Sequence, residues 1–148
     1  MRRHAITIGA AVALTAGILS GPAAATPAIG EVVRTDLAKG TTDTPISIIT
    51  HGEETAFYVQ QLRVMPGASS GWHSHPGAEY SIIAKGTLHV QDADTCEVIA
   101  YRAGEVLFAP AGTVHQGVNH GPDAVETVST FTVPAEVAPV EDAPGACP

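Results

Sequence analysis

The sequence predicts an all-β domain, built as a sandwich or a barrel. Glycine and proline recur at short intervals, and the segments between them are short and rich in residues that favour strands. Many short strands separated by turn residues are typical of this fold class. The chain of 148 residues shows no helical repeat, no low-complexity tract and no second domain, so we expect one domain.

Nine segments are candidate strands, because turn-forming residues bound each of them. They are residues 31–37, 45–50, 56–65, 79–84, 87–91, 97–101, 105–109, 114–119 and 125–133. Lys85-Gly86 predicts a tight hairpin between the fourth and fifth segments, since glycine adopts positive φ without strain. Pro76-Gly77 marks another reversal of the chain.

Residues 1–25 are typical of a secretory signal peptide. Arg2 and Arg3 form a positive start, residues 5–19 are almost entirely apolar, and Ala23-Ala24-Ala25 offers a small-residue cleavage pattern. The apolar run has the length of a signal-peptide core and is short for a membrane span. We therefore expect a secreted protein, with an uncleaved membrane anchor as the alternative.

The rest of the chain divides into a domain over residues 26–133 and a Pro- and Ala-rich tail over residues 134–148. Without Arg2 and Arg3, five basic residues face fifteen acidic ones, which gives a formal charge of −10. Such a domain has no basic patch for nucleic acid and is repelled by anionic membrane surfaces. We therefore expect a small-molecule partner, and neither nucleic acid nor membrane.

The chain contains two cysteines, Cys96 and Cys147. An even number of cysteines in an exported protein favours a disulfide, which would attach the tail to the domain. Closing a loop of this size adds roughly 4 kcal/mol to the free energy of unfolding in the chain-entropy model. Two free thiols are the alternative.

Three histidines and one glutamate form the candidate functional site. On a strand, side chains at i and i+2 point to the same face, so His73 and His75 can enter one barrel interior. On a straight strand Glu79 would lie roughly 13 Å from His75, and the Pro76-Gly77 bend can bring it back. His115 comes from a separate strand.

Taken singly, each of these residues has an ordinary explanation as a surface or hydrogen-bonded side chain. Four of them facing one apolar interior would be costly without an ion, because burial penalises unpaired polar and charged groups. Among the other histidines, His51 and His120 lie in turn-like sequence and are expected to be exposed. His89 lies on the face of its strand opposite Leu88 and Val90, and the pattern leaves open whether that face meets solvent or a cavity.

Two ordered motifs surround these residues, and together they resemble the cupin family. The first motif has five residues after Gly67, then His73-Ser74-His75, three residues, Glu79, six residues and Gly86. The second has five residues after Gly104, then Pro110-Ala111-Gly112, two residues, His115, three residues and Asn119. The chain is similar to small single-domain cupins of the Cupin_2 type, with motifs over residues 67–86 and 104–119.

The resemblance implies a cupin double-stranded β-helix, that is, a jelly-roll barrel. It also implies that His73, His75, Glu79 and His115 bind a metal ion, and it makes a homodimer a reasonable expectation. Gly86 and Gly112 match turn positions of the motifs. Asn119 matches the last position of the second motif, with no chemical role assigned to it.

Three imidazoles and one carboxylate suit a divalent transition metal, namely Mn, Fe, Ni, Co or Zn, with coordination positions left open. One hypothesis is an enzyme that acts on a small oxygen-bearing molecule, with oxidoreductase or dioxygenase-type chemistry. The alternative is a non-catalytic module that binds a metal and a small ligand such as a carbohydrate. A purely structural site is less attractive, because structural zinc sites usually rely on cysteine ligands. No catalytic residue follows from the sequence.

Overall fold

The structure is a computed structural model that describes residues 36–43, 45–48 and 54–147. The expected signal peptide and most of the first candidate strand lie outside these residues. The described residues form strands, bridges, turns and bends. Within these ranges no helix has the length and hydrophobicity needed to cross a membrane.

Nine strands are present in the described part of the chain. They are β1 (Thr55–Val64), β2 (His73–Ser74), β3 (Glu79–Lys85), β4 (Thr87–Asp92), β5 (Val98–Arg102), β6 (Val106–Ala109), β7 (His115–Val118), β8 (Val125–Pro134) and β9 (Glu141–Asp142). They form a four-stranded sheet in the order β1-β8-β3-β6 and a five-stranded sheet in the order β5-β4-β7-β2-β9. All paired strands are antiparallel. The predicted all-β jelly roll is confirmed.

The core lies between the inner faces of the two sheets. Burial alternates along β8, where every second residue from Val125 to Val133 is buried, as expected for a strand with one face in a core. Ile83 from β3 and Leu88 and Val90 from β4 pack in the same cluster. Each CH₂ removed from water there contributes about 0.8 kcal/mol to the free energy of folding.

The polar part of this interior is concentrated at one place. His75, Glu79 and His115 are only 2%, 7% and 4% exposed. The fold therefore buries ionisable groups beside an apolar core, which is costly unless they are paired or bind an ion.

Two predictions about local structure are wrong. Gly86 has the expected positive φ of 80°, but Lys85-Gly86 does not form a hairpin. β3 is flanked by β6 and β8 in one sheet, and β4 by β5 and β7 in the other. Because the neighbours of both strands are already taken, Gly86 forms a corner between the sheets.

The second error concerns the candidate strand 45–50, of which residues 45–48 are described; of the candidate strand 31–37, only residues 36–37 are described. Neither of these described parts is a strand. Among these N-terminal residues, Thr41 makes an isolated bridge to Glu105 and the Ser47 carbonyl accepts a hydrogen bond from the Tyr80 hydroxyl. These contacts do not supply the hydrogen-bond ladder that a strand needs. Residues 31–35 and 49–50 of these candidates lie outside the described residues.

The C-terminal segment is attached to the five-stranded sheet. β9 pairs with β2, so that Asp142 lies opposite His73 and Glu141 opposite Ser74. The Ala143 N–H donates to the Trp72 carbonyl. Cys147 forms a disulfide with Cys96 in the loop between β4 and β5, so the predicted cysteine pairing is present.

Candidate metal centre

The two sheets supply different ligands to the candidate site. His73 and His115 lie on β2 and β7 of the five-stranded sheet, directly opposite each other in the register of these strands, and His75 immediately follows β2. Side chains opposite each other in an antiparallel pair project from the same face. Glu79 is the first residue of β3, in the four-stranded sheet. The carboxylate therefore faces the imidazoles across the interior.

The turn between β2 and β3 makes this arrangement possible. A Cβ added to Gly77 would lie 1.8 Å from the backbone carbonyl oxygen of Thr132 in β8. Glycine is therefore required here, because it lets the turn pass against β8. The chain crosses from one sheet to the other within four residues, and Glu79 arrives beside His75 as the bend predicts.

All four predicted side chains meet in one cluster. Glu79 Oε2 lies 3.1 Å from His75 Nε2 and 3.3 Å from His115 Nε2. One nitrogen from each of His73, His75 and His115 lies within 4.8 Å of the others. These three histidines could hold a metal ion, and the carboxylate of Glu79 lies close enough to be a fourth donor.

The hydrogen bonds of the histidines define their tautomers. His73 Nδ1 lies 2.9 Å from the Gly71 carbonyl, and His115 Nδ1 lies 3.0 Å from the Thr113 carbonyl. His75 Nδ1 lies 2.7 Å from the Pro139 carbonyl. A carbonyl only accepts, so each Nδ1 carries the proton and donates it. In the neutral ring the lone pair is then on Nε2, as for histidines that bind metals.

With these tautomers, the contact between Glu79 and the histidines is electrostatically unfavourable. Two neutral Nε2 atoms and a carboxylate oxygen all accept hydrogen bonds, so their approach to about 3 Å is repulsive without a proton or a cation between them. His75 Nε2 and Glu79 Oε2 are both buried and lack a well-oriented hydrogen bond. The donor set and these buried atoms fit a divalent transition metal.

The pKa shifts reflect the same cluster. Burial by itself raises the pKa of Glu79, but contacts with His115, His75 and Ser81 outweigh it and hold that pKa well below its usual range. Burial lowers the pKa of His115, while Glu79 and the Thr113 carbonyl raise it, and the net shift is upward. Burial lowers the pKa of His73. Glu79 is thus ionised at neutral pH, as a metal ligand must be.

A chain of buried hydroxyls orients Glu79 from behind. The Ser81 hydroxyl donates to Glu79 Oε1 and also contacts the Ser129 hydroxyl. Because Ser81 has one proton and gives it to the carboxylate, Ser129 must donate to Ser81. Thr127, 3.2 Å from Ser129, then donates to Ser129. The second oxygen of Glu79, Oε2, is left facing the histidines.

Two cavities adjoin the cluster and meet at His115, Val90 and Leu107. The smaller one, about 40 Å³, lies in the interior against His73 and Glu79. A space of this size accommodates an ion or one to two water molecules. The larger one, about 280 Å³, opens beside His115 and is close to the size of small-molecule sites.

The lining of the larger cavity is acidic and partly apolar. The lining residues include Asp92, Glu97, Tyr101 and Phe108. Hydrogen bonds from Thr95 lower the pKa of Asp92, so this group is charged at neutral pH. Within the part of the chain that the structure describes, no lysine or arginine lines this cavity.

Several residues of the centre escape sequence reasoning. Ser81 lies in an ordinary strand pattern, and only the pairing of β3 with β8 brings Ser129 beside it. The Pro139 carbonyl is a backbone atom 64 residues from His75, so no side-chain motif could reveal it. Pairing between distant strands is the signal that is missing from local sequence.

The remaining motif residues have structural roles. Asn119 is fully buried, and its Nδ2 donates to the carbonyls of Val64 and Asp123 while its Oδ1 accepts from the Gly121 N–H.

The histidines outside the motifs lie away from the candidate site or outside the described residues. His120 is exposed as predicted, and His51 lies outside the described residues. His89 lies on the outer face of its sheet, with its ring centroid 5.0 Å from that of His120.

The comparison with protein families agrees with the fold and the motifs. Residues 60–131 match the Cupin_2 family, which is described as a cupin domain. The matched range contains both motifs and all four candidate ligands. The chain therefore carries a cupin domain of the Cupin_2 family. A comparison with curated protein sequences gave no match.

Solved structures of similar fold include enzymes and a protein described only as cupin-like. The polyketide cyclase RemF from Streptomyces resistomycificus is 21% identical with a TM-score of 0.52, and the alignment covers 62% of each chain. A cupin-like protein from Thermotoga maritima is 25% identical with a TM-score of 0.51, over 60% of this chain and 65% of that one. A chain from a study of DMSP lyases RdDddP and RnDddQII is 19% identical with a TM-score of 0.51, over 60% of this chain and 44% of that one. The alignments span less than two thirds of each of these proteins, and their likeness lies in the fold.

Proposed function

We propose that this cupin domain binds a divalent transition metal through His73, His75, Glu79 and His115, and uses it to hold a small oxygen-bearing molecule. The observation that carries the proposal is that one ring nitrogen from each of three histidines converges beside Glu79. Two atoms of this cluster, His75 Nε2 and Glu79 Oε2, are buried without a well-oriented hydrogen bond. A bound metal supplies Lewis acidity at this point and positions open to a ligand.

The cavity beside His115 is the proposed ligand site. It borders one candidate metal ligand directly, and its lining combines apolar residues with acidic and hydroxyl-bearing ones, as is typical of sites for small polar molecules. The volume of about 280 Å³ limits the ligand to a small molecule.

The acidic residues Asp92 and Glu97 in the lining of this cavity favour neutral ligands over dianionic ones of similar shape. Two like charges 4 Å apart repel by about 4 kcal/mol at an effective dielectric constant of about 20. Even a third of that energy is a tenfold change in affinity. Asp92 and Glu97 therefore oppose part of the attraction between the proposed metal ion and small dianions such as oxalate, and no lysine or arginine of the described residues lines the cavity to strengthen that attraction.

Metal binding is tested first, by elemental analysis of the folded protein and by calorimetric titration with Mn²⁺, Co²⁺, Ni²⁺ and Zn²⁺. We expect one metal ion per chain. A protein that binds none of these ions at neutral pH would refute the proposal.

Ligand charge is tested with the metal-loaded protein and two small chelators: dianionic oxalate and neutral oxamide. In the double variant Asp92→Asn, Glu97→Gln, we expect oxalate to bind on the order of tenfold more tightly and oxamide to change little. The matched control is Asp123→Asn, which removes an exposed carboxylate that does not line the cavity. Oxalate affinity that is equal in the double variant and the wild type would contradict the assigned ligand class.

Turnover is a second candidate function for the same site. Asp92, Glu97 and Tyr101 are among the residues that line the cavity that would hold the ligand, and side chains of these types can exchange protons with a ligand. Oxygen uptake and product analysis with a panel of diols, amides and oxo-acids test for catalysis. Binding without any change in the ligand would favour the non-catalytic module.

Export is a further part of the proposal. The pattern of residues 1–25 supports it, and the Cys96–Cys147 disulfide is typical of proteins in oxidising compartments. Mass spectrometry of the protein from the culture medium should show a mature chain that begins near Thr26. An intact N-terminus on a protein retained in the cytoplasm would contradict export.

A further inference from the structure

One histidine of the centre depends on a distant part of the chain. His73 and His115 each donate Nδ1–H to a carbonyl two residues earlier, at Gly71 and Thr113. His75 instead donates to the carbonyl of Pro139, which is 64 residues away in sequence. Local backbone therefore orients two of the rings, whereas the C-terminal segment orients the third.

Few contacts hold this segment in place. β9 is a two-residue edge strand, both of whose residues are exposed, and such a short pairing is weak without further support. The Ala143 N–H donates to the Trp72 carbonyl next to β2. The Cys147–Cys96 disulfide joins the end of the segment to the loop after β4. The disulfide restrains the segment most strongly, because it is the covalent link.

We propose that the segment 135–147 is a positioning element of the metal centre, which fixes the tautomer and the orientation of His75 through the Pro139 carbonyl. The inference rests on the proposed metal-binding function. When the segment is displaced, His75 loses its Nδ1 acceptor, and the ring is free to rotate and to carry its proton on Nε2. In that tautomer the nitrogen facing Glu79 has no lone pair for a metal.

The size of the effect follows from known metal sites. Groups that hold the second nitrogen of a ligating histidine typically contribute 10- to 100-fold to metal affinity. The disulfide therefore controls metal affinity without contacting the metal.

The test uses the full chain in which Cys96→Ser and Cys147→Ser are combined. In the metal-free protein at alkaline pH, where the imidazole rings are neutral, nitrogen-15 NMR reports the tautomer of each histidine. We expect His75 to change from Nδ1–H to a mixture of tautomers, while His73 and His115 keep theirs because their acceptors are local. These two rings are internal controls for general loss of structure. In calorimetric titration with Zn²⁺, we expect affinity to fall 10- to 100-fold.

A second variant keeps both cysteines. Ala143→Pro removes the N–H that donates to Trp72, and Ala143→Ser is its matched control with that N–H retained. Selective change at His75 in either the double cysteine variant or Ala143→Pro, with weaker Zn²⁺ binding, supports the inference. An unchanged His75 in both variants, or equal change at all three histidines in both, overturns it. A wild-type protein that binds no metal would refute the proposed function, whereas the NMR result would still decide the positioning role.

Discussion

At the scale of single residues, the centre depends on which atom of each side chain faces inward. Backbone carbonyls accept hydrogen bonds from the Nδ1–H groups of three histidines, and the Ser81 hydroxyl donates a hydrogen bond to one carboxylate oxygen of Glu79. The inward atoms, Nε2 and Oε2, are those that a metal needs. The residue types alone would not produce this site without the groups that orient them.

The first prediction concerns the ligands. The double variant His73→Ala, His75→Ala should lose metal binding, because two of three nitrogen donors are removed. Glu79→Gln keeps the shape and removes the charge, so it should weaken binding less. Elemental analysis and Zn²⁺ titration measure both effects. A double variant that loads metal like the wild type would show that the ligands are assigned wrongly.

The second prediction concerns Ser81. Ser81→Ala removes the donor to Glu79 Oε1 and leaves a buried carboxylate oxygen without that hydrogen bond, so Zn²⁺ affinity should fall about tenfold. We also expect a loss of about 1–3 kcal/mol in the free energy of unfolding. Ser129→Ala is the comparison variant: this hydroxyl is also buried and contacts Ser81, but it leaves the Ser81–Glu79 hydrogen bond in place, so its effect on Zn²⁺ affinity should be smaller. Equal loss of Zn²⁺ affinity in both variants would argue against a specific role of Ser81.

At the scale of secondary-structure elements, the turn from β2 to β3 places the carboxylate. The turn crosses from one sheet to the other, with Gly77 packed against the backbone of β8. This crossing, rather than the strands themselves, brings His75 and Glu79 to 3.1 Å.

The third prediction tests this turn. Gly77→Ala should cost about 1–3 kcal/mol of unfolding free energy and also weaken metal binding, because the added Cβ forces the turn away from Thr132. Urea denaturation and Zn²⁺ titration measure the two effects. Gly145→Ala is the control, since its Cβ would meet only an ordinary contact of 3.5 Å with Trp72. Wild-type stability in Gly77→Ala would contradict the close approach.

The strands were predictable to different degrees. Turn-forming residues bound the segments of β1 and of β3 to β8. The predicted first and last residues of these strands agree with the observed ones within about one residue. β9 was not predicted, because Glu141-Asp142 has no apolar residue to mark a strand and lies between prolines. Pairing with β2 alone makes it one. The turn at Lys85-Gly86 was predicted wrongly for the same reason. A glycine turn can join two strands of one hairpin or two strands in different sheets, and only strand pairing decides between them.

At the scale of the whole molecule, the centre joins two sheets. Two candidate ligands lie on one sheet, a third directly follows a strand of that sheet, and the fourth lies on the other sheet. A metal that binds the folded state only would therefore stabilise the entire domain. The buried ionisable groups also make stability depend on pH.

The fourth prediction concerns pH. The pKa of Glu79 is lowered in the folded state, so its contribution to stability is present above its ordinary value of 4.5 and is lost as pH falls below it. The raised pKa of His115 stabilises the metal-free protein below pH 6.5, and this contribution is lost at higher pH. The lowered pKa of His73 acts in the opposite direction around the same pH, so the two histidine effects oppose each other.

The stabilisation of the fold by a bound metal should change with pH in one direction only, and it should decrease as the pH falls. Because the metal requires neutral imidazoles, the increase in Tm on adding Ni²⁺ should shrink as pH falls from about 7.5 to about 5. Thermal denaturation with and without Ni²⁺ across this range measures it. An equal increase in Tm at all pH values would show that these histidines are not the ligands.

The order of residues alone was enough to predict the all-β class, the resemblance to cupins and the four candidate ligands, because strand alternation and motif spacing are local properties of the chain. The contact of Glu79 with two histidines, the hydroxyl chain behind it and the Pro139 carbonyl on His75 emerged only from the folded arrangement. These contacts join residues on different strands or sheets. They depend on sheet pairing and register, which result from the packing of the whole domain and leave no pattern in any short stretch of sequence.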